Sequence, residues 1–209
     1  CARLVDEQRT GDPEAAREAQ LLLEVLTPIA KSWPSEWCLE ANSLAIQVHG
    51  GYGYTRDFAV EQHWRDNRLN MIHEGTHGIQ ALDLLGRKVL MNGGAGLLLL
   101  GSRVRATIER AAQVTELADS GRELSEALHK VAEATQAAWS TGVPEEALAN
   151  ATPYMQAFGH VVLAWLWLDV ALAASGREDA LGWGKRAAQR YFFAYELPKI
   201  DAWLGVVRT

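Results

Sequence analysis

The chain has 209 residues, a formal net charge of -6 and a pI near 5.5, with 48% hydrophobic and 22% charged residues. That is enough for one large or two small buried cores and is ordinary for a soluble globular protein. The acidic balance argues against a nucleic-acid partner, which needs clustered positive charge, and Cys1 and Cys38 stand in no metal-like or redox-like spacing, so a reducing, cytoplasmic setting is expected.

The opening CARLVDEQRT, with apolar Ala2, Leu4 and Val5 and no initiator methionine, reads as the tail of a helix and the chain as a fragment. No basic stretch followed by an apolar core opens it, so no signal peptide is expected. Asp12-Pro13 predicts a helix start, with aspartate as N-cap and proline at the first helical position. Pro28 and Pro34 are expected to kink or restart that helix, which carries Trp37, Leu39, Leu44 and Ile46 and ends at Gly50-Gly51, a pair suited to a left-handed cap. Gly51 to Phe58 reads as an irregular turn. A short helix follows, with Val60, Trp64 and Met71 on one side and Glu61 and Arg65 spaced for an i,i+4 pair. The next helix opens near Thr76 and is expected to bury Ile79, Leu82, Leu85 and Val89.

Asn92 to Gly96 (NGGAG) is a Gly-rich break between helices, and a domain boundary is predicted there. Beyond it, Leu100, Val104, Ile108, Ala111 and Val114 form one amphipathic face, and Leu124, Leu128, Val131, Ala134 and Ala138 another. A helix from about Pro153 to Ala174 includes the apolar run Val161 to Ala174, which is too short for a membrane span and contains Asp169, so it reads as a core helix. Gly176 and Gly182 are expected to bracket a loop before a last helix through Tyr191 and Phe192, which Pro198 kinks or ends. No strand, repeat or low-complexity tract is evident. The predicted fold class is all-α, a helical bundle at residues 1–91 followed by a second helical bundle at 97–209.

The stretch with chemical content runs from Ala45 to Leu90. Gly50, Gly51 and Gly53 allow close backbone approach. Arg65-Asp66 places a charge pair on a helix. Glu74 stands beside Gly75-Thr76, where a helix begins, between Leu69, Met71 and Ile72 on one side and Ile79 on the other. Desolvated there, a carboxylate becomes a stronger base. Alternatively, it is an acid stabilised near the positive end of a helix.

The order Gln, two residues, Gly-Gly-x-Gly-Tyr (Gln47 to Tyr54), then Arg65-Asp66, then Glu74-Gly75-Thr76, then Ile79-Gln80 resembles the C-terminal helical domain of acyl-CoA dehydrogenases over Ala2 to about Leu90. VLTPIAK (Val25 to Lys31) and WPSEWCLEA (Trp33 to Ala41) further resemble bacterial members with an extra C-terminal helical domain. The resemblance implies that the chain is the C-terminal part of an FAD-dependent enzyme. That enzyme would desaturate an acyl-CoA thioester at its α,β carbons and pass electrons to an electron-transfer flavoprotein. It implies Glu74 as the base that takes the α-proton while a hydride passes to flavin. The backbone N–H of Glu74 would hold the thioester carbonyl, with Gly75 beside it in the substrate site. It implies flavin contact by Thr76 and contact by Gln47, Gly50 and Gly51 with FAD bound to a neighbouring subunit, hence a homodimer or dimer of dimers. The isolated fragment is expected to lack most of the flavin site and to be inactive. His73 stands where the family often has tyrosine, and Gly78 where a second flavin-contacting glutamine is common, so the flavin contacts and substrate preference are where this chain departs.

Two other readings compete. His73-Glu74-Gly75-Thr76-His77 satisfies the H-E-x-x-H pattern of zinc peptidases, which needs both histidines one turn apart inside a helix. Gly75 and Thr76 suit a helix start instead, no third ligand is evident, and no metal is expected. The other alternative is a non-catalytic helical interaction or oligomerisation module, the expected role of Leu97 to Thr209. Its tryptophans, Trp139, Trp165, Trp167, Trp183 and Trp203, read as core or interface. Lys185, Arg186 and Arg190 form a basic cluster that reads as a solvated face.

Overall fold

The computed structural model describes residues 1–73 and 76–209, and every regular element among them is helical. A short helix α1 (Ala2–Thr10) turns at Gly11 into α2 (Pro13–His49), 37 residues long and the spine of the molecule. Its start is the one the sequence predicts: Asp12 accepts from the backbone N–H of Glu14 and Ala15, and Pro13 occupies the first turn.

Of the kink or restart expected at Pro28 and Pro34, the restart does not occur: α2 runs through both prolines, although each removes one backbone donor. Ser35 Oγ donates to the carbonyls of Lys31 (3.0 Å) and Ser32 (2.8 Å) around Pro34. Pro28 itself is buried beside Val25, Leu26 and Ile29.

After α2 come a 3-10 turn (Gly50–Tyr54), α3 (Val60–Arg68), a second 3-10 turn (Leu69–Met71) and α4 (His77–Asp83). A π-helical turn, Leu84–Lys88, continues α4. The buried face of this segment differs from the expected one. Leu85 and Val89 are buried, but Ile79 (59% exposed) and Leu82 (47%) are open, and Ala81 and Leu84 take the core positions. A strict three-four spacing does not foresee that rotation, and the π turn adds a residue to the repeat.

Next, α5 (Met91–Ala111) is interrupted where the glycines predict a break. Asn92, Gly93 and Gly94 all adopt positive φ, and the regular helix resumes after them. Helices α6 (Ala118–Ala138), α7 (Pro144–Ala147) and α8 (Ala151–Ala173) follow. The last segment holds α9 (Ala180–Tyr191), a π turn (Phe192–Glu196), a 3-10 turn (Leu197–Lys199) and α10 (Ile200–Val207). Gly182 lies inside α9 rather than at its edge, because Asp179 caps the helix and its carboxylate accepts from Gly182 N at 2.8 Å. Pro198 marks the shift from the π turn through the 3-10 turn into α10.

The expected apolar faces of α5 and α6 are largely realised: Leu100, Val104, Ala111, Leu124, Val131 and Ala134 are buried. They join Leu22, Val25, Leu84, Leu85, Tyr154, Phe158 and Leu168 in one continuous cluster. Each large apolar side chain taken out of water there contributes about 1.5–3 kcal/mol. Helix α8 is long and apolar enough to cross a membrane by length and composition, yet 56% of its apolar window is buried inside the fold. It is the central helix of the second half, and it also lies against α2. Gly159 makes that approach close: a Cβ there would stand 2.4 Å from Trp33 Cδ1.

Candidate active site

The residues singled out by sequence fall at two places along α2. Gln47 and Gly50-Gly51 close its C-terminal end, and His77, beside Thr76, packs against its middle at Ser32. Fifteen residues separate Ser32 from Gln47, about 22 Å along the helix axis at ~1.5 Å per residue. The fold therefore does not gather Gln47, Gly50 and Gly51 around Thr76. Glu74 and Gly75, the expected base and its neighbour, lie outside the described residues.

At the C-terminal end, Gln47 is exposed. The three glycines are there for different reasons. Gly50 has φ +61°, ψ -145°, a positive-φ conformation outside the left-handed helical region expected of a cap, and one that disfavours any side chain. A Cβ on Gly53 would stand 2.5 Å from the carbonyl oxygen of Ile46, so the turn itself requires glycine. Gly51 has negative φ, and a Cβ there would meet nothing within 4 Å. The fold alone places no demand on Gly51. That leaves an exposed backbone stretch which a ligand or another chain can approach without a side chain in the way. Rings of His49 and Phe58 (5.3 Å) and of Tyr52 and Phe58 (6.2 Å) brace the turn.

Beyond the turn, Tyr54, Arg56, Glu61, Trp64 and Arg65 line a cleft of 330 Å³. The expected i,i+4 pair is present, with Arg65 Nη1 3.9 Å from Glu61 Oε2. Asn67 Nδ2 donates to Asn42 Oδ1 at 3.0 Å and ties α3 back to α2. A second cleft of 380 Å³ lies between these helices, lined by Lys31, Ser35, Cys38, Asn67, Asn70 and His73 among others. Thr76 is exposed and stands as N-cap of α4 without a side-chain cap bond. A Cβ on Gly78 would meet nothing within 4 Å, so the departure there leaves open space.

The zinc-peptidase pattern finds little geometric support. His77 opens α4 while His73 precedes that helix, so the two do not share one helix as the motif requires. Among the described residues, no three His, Cys, Asp or Glu side chains could hold a metal ion. In the basic cluster, Arg186 donates to the carbonyls of Ala174 (2.8 Å) and Arg177 (2.9 Å), so it closes the loop before α9, and Lys185 stands over the Trp167 ring.

The polar groups that sequence reasoning missed lie between α2 and the second half. His160 is fully buried among Trp33, Trp37, Trp203 and Phe192, with ring centroids 4.7–5.8 Å away. Trp33 Nε1 donates to its Nδ1 at 3.0 Å, which assigns the ring proton to Nε2, 3.7 Å from Glu196 Oε2. The carbonyl oxygen of Gln156, also 3.0 Å from Nδ1, becomes its acceptor only when that nitrogen is protonated. Burial pulls the His160 pKa from 6.5 down to about 4, against the pull of the Gln156 carbonyl and the Glu196 carboxylate.

The unfolded chain therefore binds a proton that the fold rejects between pH 6.5 and 4. The stability owed to neutral His160 is complete above pH 6.5 and is lost as pH falls to about 4, by roughly 3 kcal/mol in all. Urea unfolding midpoints across that window are expected to fall more steeply in the wild type than in His160→Phe, and parallel slopes would refute this.

Two family models tile the chain. Residues 2–90 match "Acyl-CoA dehydrogenase, C-terminal domain", and residues 100–209 match "Acetyl-CoA dehydrogenase C-terminal like". The chain belongs to the acyl-CoA dehydrogenase family. It is 36% identical over 174 residues to 3-methylmercaptopropionyl-CoA dehydrogenase of Ruegeria pomeroyi, covering 78% of this chain and 28% of that protein. It is 28% identical over 212 residues to a butyryl-CoA dehydrogenase of Syntrophomonas wolfei, covering 94% of this chain and 34% of that one. A caffeyl-CoA reductase-Etf complex subunit (CarC) of Acetobacterium woodii is 35% identical over 85 residues, 41% of this chain and 19% of that protein. The chain thus spans about a third or less of the length of these relatives.

Proposed function

We propose that this chain is the C-terminal part of an FAD-dependent acyl-CoA dehydrogenase that desaturates an acyl-CoA thioester between its α and β carbons, with Glu74 as the base. The observation that carries the reading is the pair of acyl-CoA dehydrogenase matches covering residues 2–90 and 100–209 in order.

The residues present fit a flavin dinucleotide at the end of α2. Gly51 is open and free of any demand from the fold, Gln47 beside it is exposed, and Gly50 exposes backbone. Glycines of this kind suit close approach of a pyrophosphate. FAD, when bound, supplies the hydride acceptor. Gln47, Gly50 and Gly51 would hold its dinucleotide portion, and Thr76 would touch the flavin ring. Their separation along α2 is compatible with two flavins, one of them carried by a second copy of the protein. Exposed Leu44, Val48, Ile79 and Leu82 on α2 and α4 supply the apolar surface that such an assembly covers.

Glu74 takes the α-proton of the thioester. That proton is weakly acidic, so charge developing on the carbonyl oxygen must be met as the proton leaves, and the Glu74 N–H serves as one donor. The reducing equivalents then leave to an electron-transfer flavoprotein, in keeping with the relative named as part of an Etf complex. For residues 97–209 we propose a structural and interaction role.

Anaerobic titration of the full-length protein with a panel of acyl-CoAs, followed by flavin absorbance, tests this reading. Bleaching by at least one thioester is expected, and the most effective one names the substrate class. A full-length protein that purifies without flavin, or that no acyl-CoA bleaches, would overturn it.

A further inference from the structure

A chain of polar side chains crosses three helices, α2, α4 and α8, and includes His77 at the start of α4. Ser32, 2% exposed on α2, has its Oγ 2.6 Å from His77 Nδ1 at the first position of α4. The other ring nitrogen of His77 is buried, makes no hydrogen bond, and lies 3.9 Å from Glu36 Oε2. Ser32 and Glu36 are one turn apart on α2, so they present one face to the imidazole. Glu36 in turn accepts from Gln156 Nε2 of α8, and Gln156 Oε1 accepts from Trp37 Nε1 at 3.2 Å.

Polarity selects one arrangement of this chain. With Ser32 O–H donating to Nδ1, the ring proton sits on Nε2 and faces the Glu36 carboxylate. The opposite tautomer would set a lone pair against that carboxylate, which is repulsive. Helix α4 has seven residues and its N-cap Thr76 makes no side-chain cap bond. A helix that short is not stable by itself, so its start must be fixed by tertiary contacts. Among the described residues, the Ser32–His77 bond is a hydrogen bond that does this, three residues after Glu74 in the sequence.

We propose that His77 is a positioning residue for the Glu74 segment, anchored by Ser32 and Glu36, and that Gln156 of the second helical half steadies it through Glu36. This rests on the reading of Glu74 as the base. It gives residues 97–209 a part in the reaction: α8 would help hold the base in place without touching substrate.

The test uses the full-length, flavin-loaded enzyme and the acyl-CoA that bleaches it best. Displacing a reacting group by about 1 Å costs on the order of 10²-fold in rate, so His77→Leu is expected to slow flavin reduction at saturating acyl-CoA by about 30- to 100-fold. Flavin content and acyl-CoA affinity are expected to stay as in the wild type. His77→Asn, whose Oδ1 can accept from Ser32, is expected to recover most of the rate. Gln156→Leu is expected to slow reduction by about 5-fold alone and to add nothing in the His77→Leu background, because coupled residues are not additive.

A wild-type rate in His77→Leu overturns the proposal. So does a loss that tracks flavin content, with His77→Asn no better than His77→Leu, since that is general destabilisation. Additive losses in the double variant overturn the link through Glu36. Glu74→Gln, run in parallel, separates the two readings: if it reduces flavin at the wild-type rate, the base assignment has failed whatever His77 does.

Discussion

Glu74→Gln in the full-length enzyme is expected to slow flavin reduction by acyl-CoA by about 10³- to 10⁴-fold, the upper part of the range for losing a positioned general base. The replacement keeps the size and shape of the side chain and the backbone N–H, so acyl-CoA binding and flavin content are expected to change little. What disappears is the only group proposed to take the α-proton. Breaking the β C–H bond without a base at the α carbon leaves charge with nowhere to go. The loss is therefore expected in the reduction step itself, and it is largest where the wild-type carboxylate is ionised. Stopped-flow flavin absorbance under anaerobic conditions reads it directly. A rate within tenfold of wild type would assign the base to another residue.

The helical character and the family were legible in the sequence for different reasons. Asp12-Pro13 announces a helix start because the cap chemistry is local, and the faces of α5 and α6 follow from a period that no distant contact disturbs. The errors came where tertiary packing overrode local preference. Pro28 and Pro34 sit inside a single α2, which packs against α5 and α8 along its length. Ile79 and Leu82 look like core residues by type, yet they face outward because the π turn and the packing of Ala81 and Leu84 set the buried side.

The candidate site is legible in the sequence as a motif, while the polar network beside it is not. Gly51 stands out in the sequence, but only the open space around it shows that the fold makes no use of it. Ser32, Glu36 and Gln156 went unnoticed because each is an ordinary polar residue on a helix. Their meaning comes from pairings 45 and 120 residues apart in sequence, Ser32 with His77 and Glu36 with Gln156, which no local pattern encodes. His160 likewise looks like a stray polar residue in an apolar run until three tryptophan rings surround it.

Phe158→Ala carries the largest expected effect on stability, and it bears on how the two halves of the chain are joined. Phe158 is 1% exposed at the centre of α8 and meets Tyr154 edge to face at 5.8 Å. Truncating a buried phenylalanine costs about 3–5 kcal/mol through lost transfer energy and the cavity left behind. The buried cluster containing it extends without a gap to Leu22, Val25 and Ile29 on α2, across the Gly-rich break at residues 92–96. A proposed boundary at that break and a shared core make opposite demands on hydrogen exchange in the full-length protein. If the core unfolds as one unit, the most protected amides of α2 and α8 lose protection together, by roughly 10²- to 10⁴-fold. That is the expected result, because α2 packs against α5 and α8 as well as against elements of its own half, and its buried side chains belong to the one shared cluster. Loss confined to α8, with α2 unchanged, would show that residues 1–91 form a separate folding unit and that Gln156 reaches Glu36 across an interface that can open.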